Sequence, residues 1–116
     1  ISVEDVIKVN MFFFDNHLND IEEISGIFNC GTGVARSFNE LALGVINACR
    51  YQQGLDKMSL LEAVNSVTIE YIDFPADLAG RYQCYTQANL KHLYQAGFKE
   101  QFLTLEDGIS NYLNIE

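Results

Sequence analysis

Basic side chains are scarce in this sequence: seven Lys and Arg stand against sixteen Asp and Glu, for a formal charge of −9 at neutral pH. A surface so acidic repels polyanions and offers no basic stripe for counterion release, so nucleic acid is excluded as a partner. Anionic membrane surfaces are disfavoured for the same reason. Long apolar runs are missing too. The longest, Met11-Phe12-Phe13-Phe14, is far too short to cross a bilayer. Cysteine is limited to Cys30, Cys49 and Cys84, an odd number with no CxxC pair and no histidine at ligand spacing, which signals neither a disulfide framework nor a zinc site. A reducing, cytoplasmic setting is expected. No basic start with a small-residue cleavage site is seen. The first residue is Ile1 and amphipathic pattern begins immediately after it, so a piece of a longer chain is expected, with a processed terminus as the alternative.

What is present is a hydrophobic fraction of 48% in 116 residues, enough for one compact domain or a piece of one. Four positions place Ser or Thr three residues before an acid: Ser2 and Asp5, Ser37 and Glu40, Ser59 and Glu62, Thr104 and Asp107. That spacing lets the hydroxyl accept an orphan amide while the acid reaches back, so each marks a helix start. The first helix is expected over 3–16, with Val6, Ile7, Val9 and Phe13 spread too widely for one narrow stripe; it needs cover on more than one side. A second, over 38–51, carries Phe38, Leu41, Ala42, Val45 and Cys49 as a core-facing stripe. A third, over 87–96, presents Leu90, Leu93 and Tyr94 and stops at Gly97. The last follows Thr104 and buries Leu105, Ile109, Tyr112 and Leu113.

Strands are expected at 26–30, at 67–74, where Val67, Ile69 and Tyr71 alternate before Pro75, and in short form at 82–85. Together these elements make a mixed α/β layer structure. The stretch 52–60 reads as the most exposed loop.

Among candidate sites, Gly31-Thr32-Gly33 lies between a strand and a capped helix, where backbone amides can hold a phosphate. Arg36 occupies the third place of the G-x-G-x-x-G pattern, however, and a tight strand-to-helix turn is the better account of the two glycines. His17 and His92 share no partner at helical spacing, which argues against a metal site. The acids Glu22-Glu23, Asp56, Glu100 and Glu106-Asp107 read as solvated faces. No tyrosine of the six is followed four residues later by lysine, so the phenol and ammonium pair of short-chain dehydrogenase chemistry is not here. Gly80-Arg81-Tyr82-Gln83 gathers a guanidinium, a phenol and an amide in one loop. Arg81 can clamp a phosphate and Tyr82 can stack on or donate to a sugar or base; an Arg paired to a surface acid and a Tyr plugging the core are the alternatives.

Taken together, Val3-Glu4-Asp5-Val6, Phe28-Asn29-Cys30-Gly31-Thr32-Gly33, Ser37-Phe38 and the run EYIDFPADLAGRYQCYTQANLKHLYQAG over 70–97 resemble the C-terminal part of the ADP-glyceromanno-heptose 6-epimerases, a family of extended short-chain dehydrogenases. The first pieces occur across extended short-chain dehydrogenases. By contrast, F-P-x-x-L-x-G-R-Y-Q followed by T-Q-A looks like this epimerase family in particular. Ser2, where an aromatic is common, and the extended loop 52–66 depart from it. The resemblance implies a C-terminal substrate-binding portion over 1–116 whose residues 1–30 dock on a Rossmann domain elsewhere. It also implies NADP on that domain and inversion of C6 in ADP-D-glycero-D-manno-heptose by transient oxidation, for lipopolysaccharide core synthesis. The implied assembly is a homo-oligomer, a pentamer in the resembled family. Tyr82 matches the family position that contacts the nucleotide-sugar, with Arg81 beside it against the phosphates. Catalytic residues and the cofactor loop would lie upstream. An epimerase or dehydratase for a UDP or dTDP sugar, and a binding or assembly module without chemistry, are the competing readings.

Overall fold

A computed structural model describes residues 1–17 and 25–113. Its elements, in chain order, are α1 (Val3–His17), α2 (Phe38–Gln52), α3 (Leu60–Asn65), a 3₁₀ turn (Ala76–Leu78), α4 (Lys91–Gln95) and α5 (Leu105–Tyr112). No strand occurs among the described residues, so the chain is α-rich, and the strands expected at 26–30, 67–74 and 82–85 are corrected. A strand exists only through a neighbour that completes its hydrogen-bond ladder. None of these segments has such a neighbour among the described residues. At 67–74 the alternation is also interrupted at its head: the amides of Thr68 and Ile69 turn back onto the carbonyl of Ala63 at the end of α3, at 2.9 and 3.0 Å.

All four helix starts read from the hydroxyl and acid spacing are formed. At Ser37 and Ser59 both halves of the capping box are made. The box bonds draw the Glu40 and Glu62 carboxyls below their ordinary range, chiefly through the backbone amides of Ser37 and Ser59. Thr104 Oγ accepts the Asp107 amide at 3.1 Å and donates to its carboxylate at 2.6 Å. Ser2 caps α1 differently, its Oγ accepting the Glu4 amide at 3.3 Å, because Asp5 is engaged elsewhere.

The chain divides into two compact units, Ile1–Ala35 with Gln87–Gly108 and Arg36–Thr86 with Ile109–Glu116. In the first, Val9 of α1 packs with Leu90, Leu93 and Phe98, bordered by Phe12, Phe13, Ala88 and Phe102. Edge-on and stacked ring contacts join Phe12, Phe98 and Phe102 at 5.5 Å. Asp5, fully buried, accepts the Leu103 amide through Oδ2 and Lys8 Nζ through Oδ1, both at 2.9 Å. Its carboxylate holds the Lys8 ammonium above its ordinary value. The opposite side of α1 is bare. Val3, Ile7, Met11 and Phe14, spaced for one helical face, are between 48% and 69% exposed, so the expected second cover is not supplied by the described residues.

The third helix is shorter than its periodicity suggests. Asn89 Oδ1 accepts the Lys91 amide at 3.0 Å, a local turn that starts α4 only there and leaves 87–90 outside the helix. Leu93 is fully buried, but Tyr94 is half exposed.

In the second unit, the stripe expected on α2 is not a core face: no residue of α2 is buried, and Phe38 is 73% exposed. Of the α5 residues expected inside, Ile109 is buried and Tyr112 lies in the open. Residues 52–60 are exposed as expected yet pinned. Asn47 donates to the Met58 carbonyl at 2.9 Å and accepts its amide at 2.7 Å, and Arg50 Nε donates to the Asp56 carbonyl at 2.8 Å. The pair Glu22-Glu23 and the His17 side chain lie outside the described residues.

Candidate functional site

The G-x-G stretch and the loop carrying Arg81 belong to different units, and each is built by local chemistry. In the first unit, Asn29 Nδ2 donates to the Asn89 carbonyl at 3.2 Å and Gln87 Nε2 to the Gly33 carbonyl at 2.6 Å. These two amides clamp the 29–33 turn to the 87–90 segment. The approach is close: a Cβ on Gly31 would sit 2.6 Å from the Ala88 Cβ. Only glycine fits there. Ala88 therefore occupies the place that a side chain at position 31 would take, and this glycine is accounted for by the packing of the clamp. Beside the clamp lies an open hollow of about 540 Å³, lined by Thr32, Gly33, Gln87, Asn89, Lys91 and Tyr94 among others.

In the second unit, the chain from Phe74 to Tyr82 reverses on itself. Pro75 fixes the entry with φ −54° and disfavours helical backbone at Phe74. Its carbonyl accepts the Leu78 amide at 3.0 Å, closing the 3₁₀ turn Ala76–Leu78. The Leu78 carbonyl then accepts two amides, from Arg81 at 3.0 Å and Tyr82 at 3.2 Å. Gly80 makes this convergence possible with φ 73°, a value glycine adopts without cost. The reversal brings the rings of Phe74 and Tyr82 together, centroids 5.5 Å apart and planes at 69°.

Arg81 and Tyr82 are thus presented side by side on a constrained turn. Neither alternative drawn from the sequence describes them. Tyr82 is 48% exposed and packs on another exposed ring, not in a core. The salt bridges of Lys8 with Asp5 and Arg36 with Glu40 do not involve Arg81, whose guanidinium has no partner among the described residues. An unpaired planar cation next to an aromatic ring is suited to an anionic, partly planar ligand.

The role of the aromatic at position 74 was missed by sequence reasoning, which weighed Phe74 as the end of a strand and as the first residue of the F-P-x-x-L-x-G-R-Y-Q motif, not as a partner of Tyr82. Its signal was the Pro that follows and the glycine six residues on, which together mark a reversal. Among the described residues no group of three His, Cys, Asp or Glu is placed to hold a metal, and no helix is long and apolar enough to cross a membrane. No model of a known protein family matches the chain.

Proposed function

We propose that this chain is the C-terminal, substrate-side portion of an NADP-dependent nucleotide-sugar epimerase of the extended short-chain dehydrogenase type, acting on ADP-D-glycero-D-manno-heptose. The observation that carries the reading is the segment 70–97. It resembles that epimerase family, and within it Arg81 and Tyr82 are both exposed on a turn held by Gly80 and the Leu78 carbonyl. In this reading Arg81 faces the diphosphate and Tyr82 the sugar or base, while the cofactor and the catalytic tyrosine and lysine belong to a preceding Rossmann domain. The bare face of α1, and the segments that lack a ladder partner, would be covered by that domain and its sheet. Activity belongs to the whole enzyme. What these residues contribute is binding and orientation of the nucleotide-sugar.

The full-length protein, assayed against ADP-heptose and UDP-galactose, tests the proposal. Epimerisation of the heptose supports it. Turnover of the UDP sugar alone would reassign the substrate, and binding without turnover of either would favour a non-catalytic module. The isolated 116-residue chain is expected to give no saturable signal on titration with NADP; micromolar binding would overturn the division of labour.

A further inference from the structure

Phe74 lies next to the proposed site and plays no part in the reading so far. It is 55% exposed, so hydrophobic burial does not explain where it sits. Its ring meets only that of Tyr82 among the described aromatic contacts. The turn between them has a fixed entry at Pro75, one 3₁₀ turn, and two amides converging on the Leu78 carbonyl, so the backbone holds residues 74 and 82 near enough for the rings to meet edge-on at 5.5 Å.

A half-exposed tyrosine at the surface ordinarily samples several rotamers, and a ligand that uses one of them must bear the cost of selecting it. Edge-to-face packing against a neighbouring ring favours a single orientation in advance. A T-shaped contact also engages only part of each ring, which leaves aromatic surface of both open to solvent. The remaining Tyr82 surface and the Arg81 guanidinium are then free for a nucleoside diphosphate sugar.

We propose that Phe74 is a positioning residue, whose ring orients Tyr82 for the nucleotide-sugar; the proposal rests on the reading of Tyr82 as a substrate contact. The test uses the full-length enzyme with ADP-heptose and the variants Phe74→Leu, Phe74→Tyr, Tyr82→Ala and the double variant Phe74→Leu/Tyr82→Ala. Phe74→Leu should raise KM by about three- to tenfold, with kcat within about twofold and an unchanged melting temperature. Phe74→Tyr, which keeps the ring, should restore KM. The double variant should be no worse than Tyr82→Ala, because a residue acting only through Tyr82 has nothing left to act on. With ¹³C-labelled tyrosine, the Tyr82 ring resonance should move in Phe74→Leu and not in Phe74→Tyr.

Additive losses in the double variant would overturn the proposal, since Phe74 would then touch the ligand itself. Wild-type KM or an unmoved Tyr82 resonance in Phe74→Leu, beside a weakened Tyr82→Ala, would also overturn it while leaving Tyr82 in the site. Wild-type KM in Tyr82→Ala would remove both residues.

Discussion

The buried carboxylate of Asp5 accepts the backbone amide of Leu103 at 2.9 Å, across 98 residues of chain. The start of α1 is tied by this bond to the segment entering α5, within one unit. Removing the carboxylate leaves a partly buried amide without its partner, and a hydrogen bond to a charged group contributes about 1.5–3 kcal/mol. Asp5→Ala is expected to lower unfolding stability by about that amount in urea denaturation. Asp5→Asn, which keeps an acceptor, should cost less. Equal losses in the two variants would mean that charge pairing with Lys8, not the Leu103 amide, is what Asp5 provides.

The two capping boxes predict an acid-sensitive helix content. Glu40 and Glu62 have folded-state carboxyls below their ordinary value, held there by the Ser37 and Ser59 amides. Their contribution to stability is therefore fully present above the unfolded carboxyl value of about 4.3 and is lost as pH falls through the lower folded value. Helicity followed by circular dichroism should drop across that window in the parent chain. In Glu40→Gln/Glu62→Gln, which retains acceptors without a titrating proton, the drop should shrink.

Val67 has φ 58°, a left-handed conformation that is a true outlier for a β-branched residue. The helix end imposes it: the amides of Val67 and Thr68 return to the carbonyls of Val64 and Ala63, the same closure that α4 makes with Gly97 at φ 99°. Val67 is 71% exposed, so little burial is lost on removing its side chain. Val67→Gly is accordingly expected to stabilise the chain by roughly 0.5–1 kcal/mol, relief of a strain of about 1–2 kcal/mol offset by the greater freedom of glycine when unfolded. A lower melting temperature in Val67→Gly would show that the valine side chain has a role the conformation conceals.

The bare stripe on α1 should make the isolated chain associate or lose stability. Each of Val3, Ile7, Met11 and Phe14 left in water forfeits up to about 1.5–3 kcal/mol of burial, and a contiguous apolar patch seeks cover. Sedimentation should show concentration-dependent association that Ile7→Lys/Met11→Lys reduces. A monodisperse monomer of high thermal stability would count against a covered role for this face.

In the full-length enzyme, Tyr82→Phe and Tyr82→Ala separate site from scaffold. If the hydroxyl contacts the nucleotide-sugar, losing a hydrogen bond to a charged group lowers kcat/KM of Tyr82→Phe by roughly ten- to a hundredfold. A tyrosine that only packs would give a silent Tyr82→Phe and a Tyr82→Ala of lower melting temperature. Full activity in Tyr82→Phe takes the hydroxyl out of the site.

Helix starts were legible from residues alone because a cap is a local device: Ser37 reaches Glu40, and Ser59 reaches Glu62, within one turn, whatever the rest of the chain does. Gly97 ended α4 for the same reason. Arg81 and Tyr82 could be marked as candidates from their types and neighbours. Everything that required a second segment was decided by tertiary structure. Alternation at 67–74 specifies a strand only if an edge is offered, and the described residues offer none. The stripe on α2 and the outer face of α1 carry core-like periodicity, yet periodicity cannot say which apolar face meets another. Asp5 shows the same limit. Its spacing from Ser2 fits a capping box, but burial beside Leu103 gave its carboxylate a distant amide to accept, and a buried charge must take the partner that packing brings within reach.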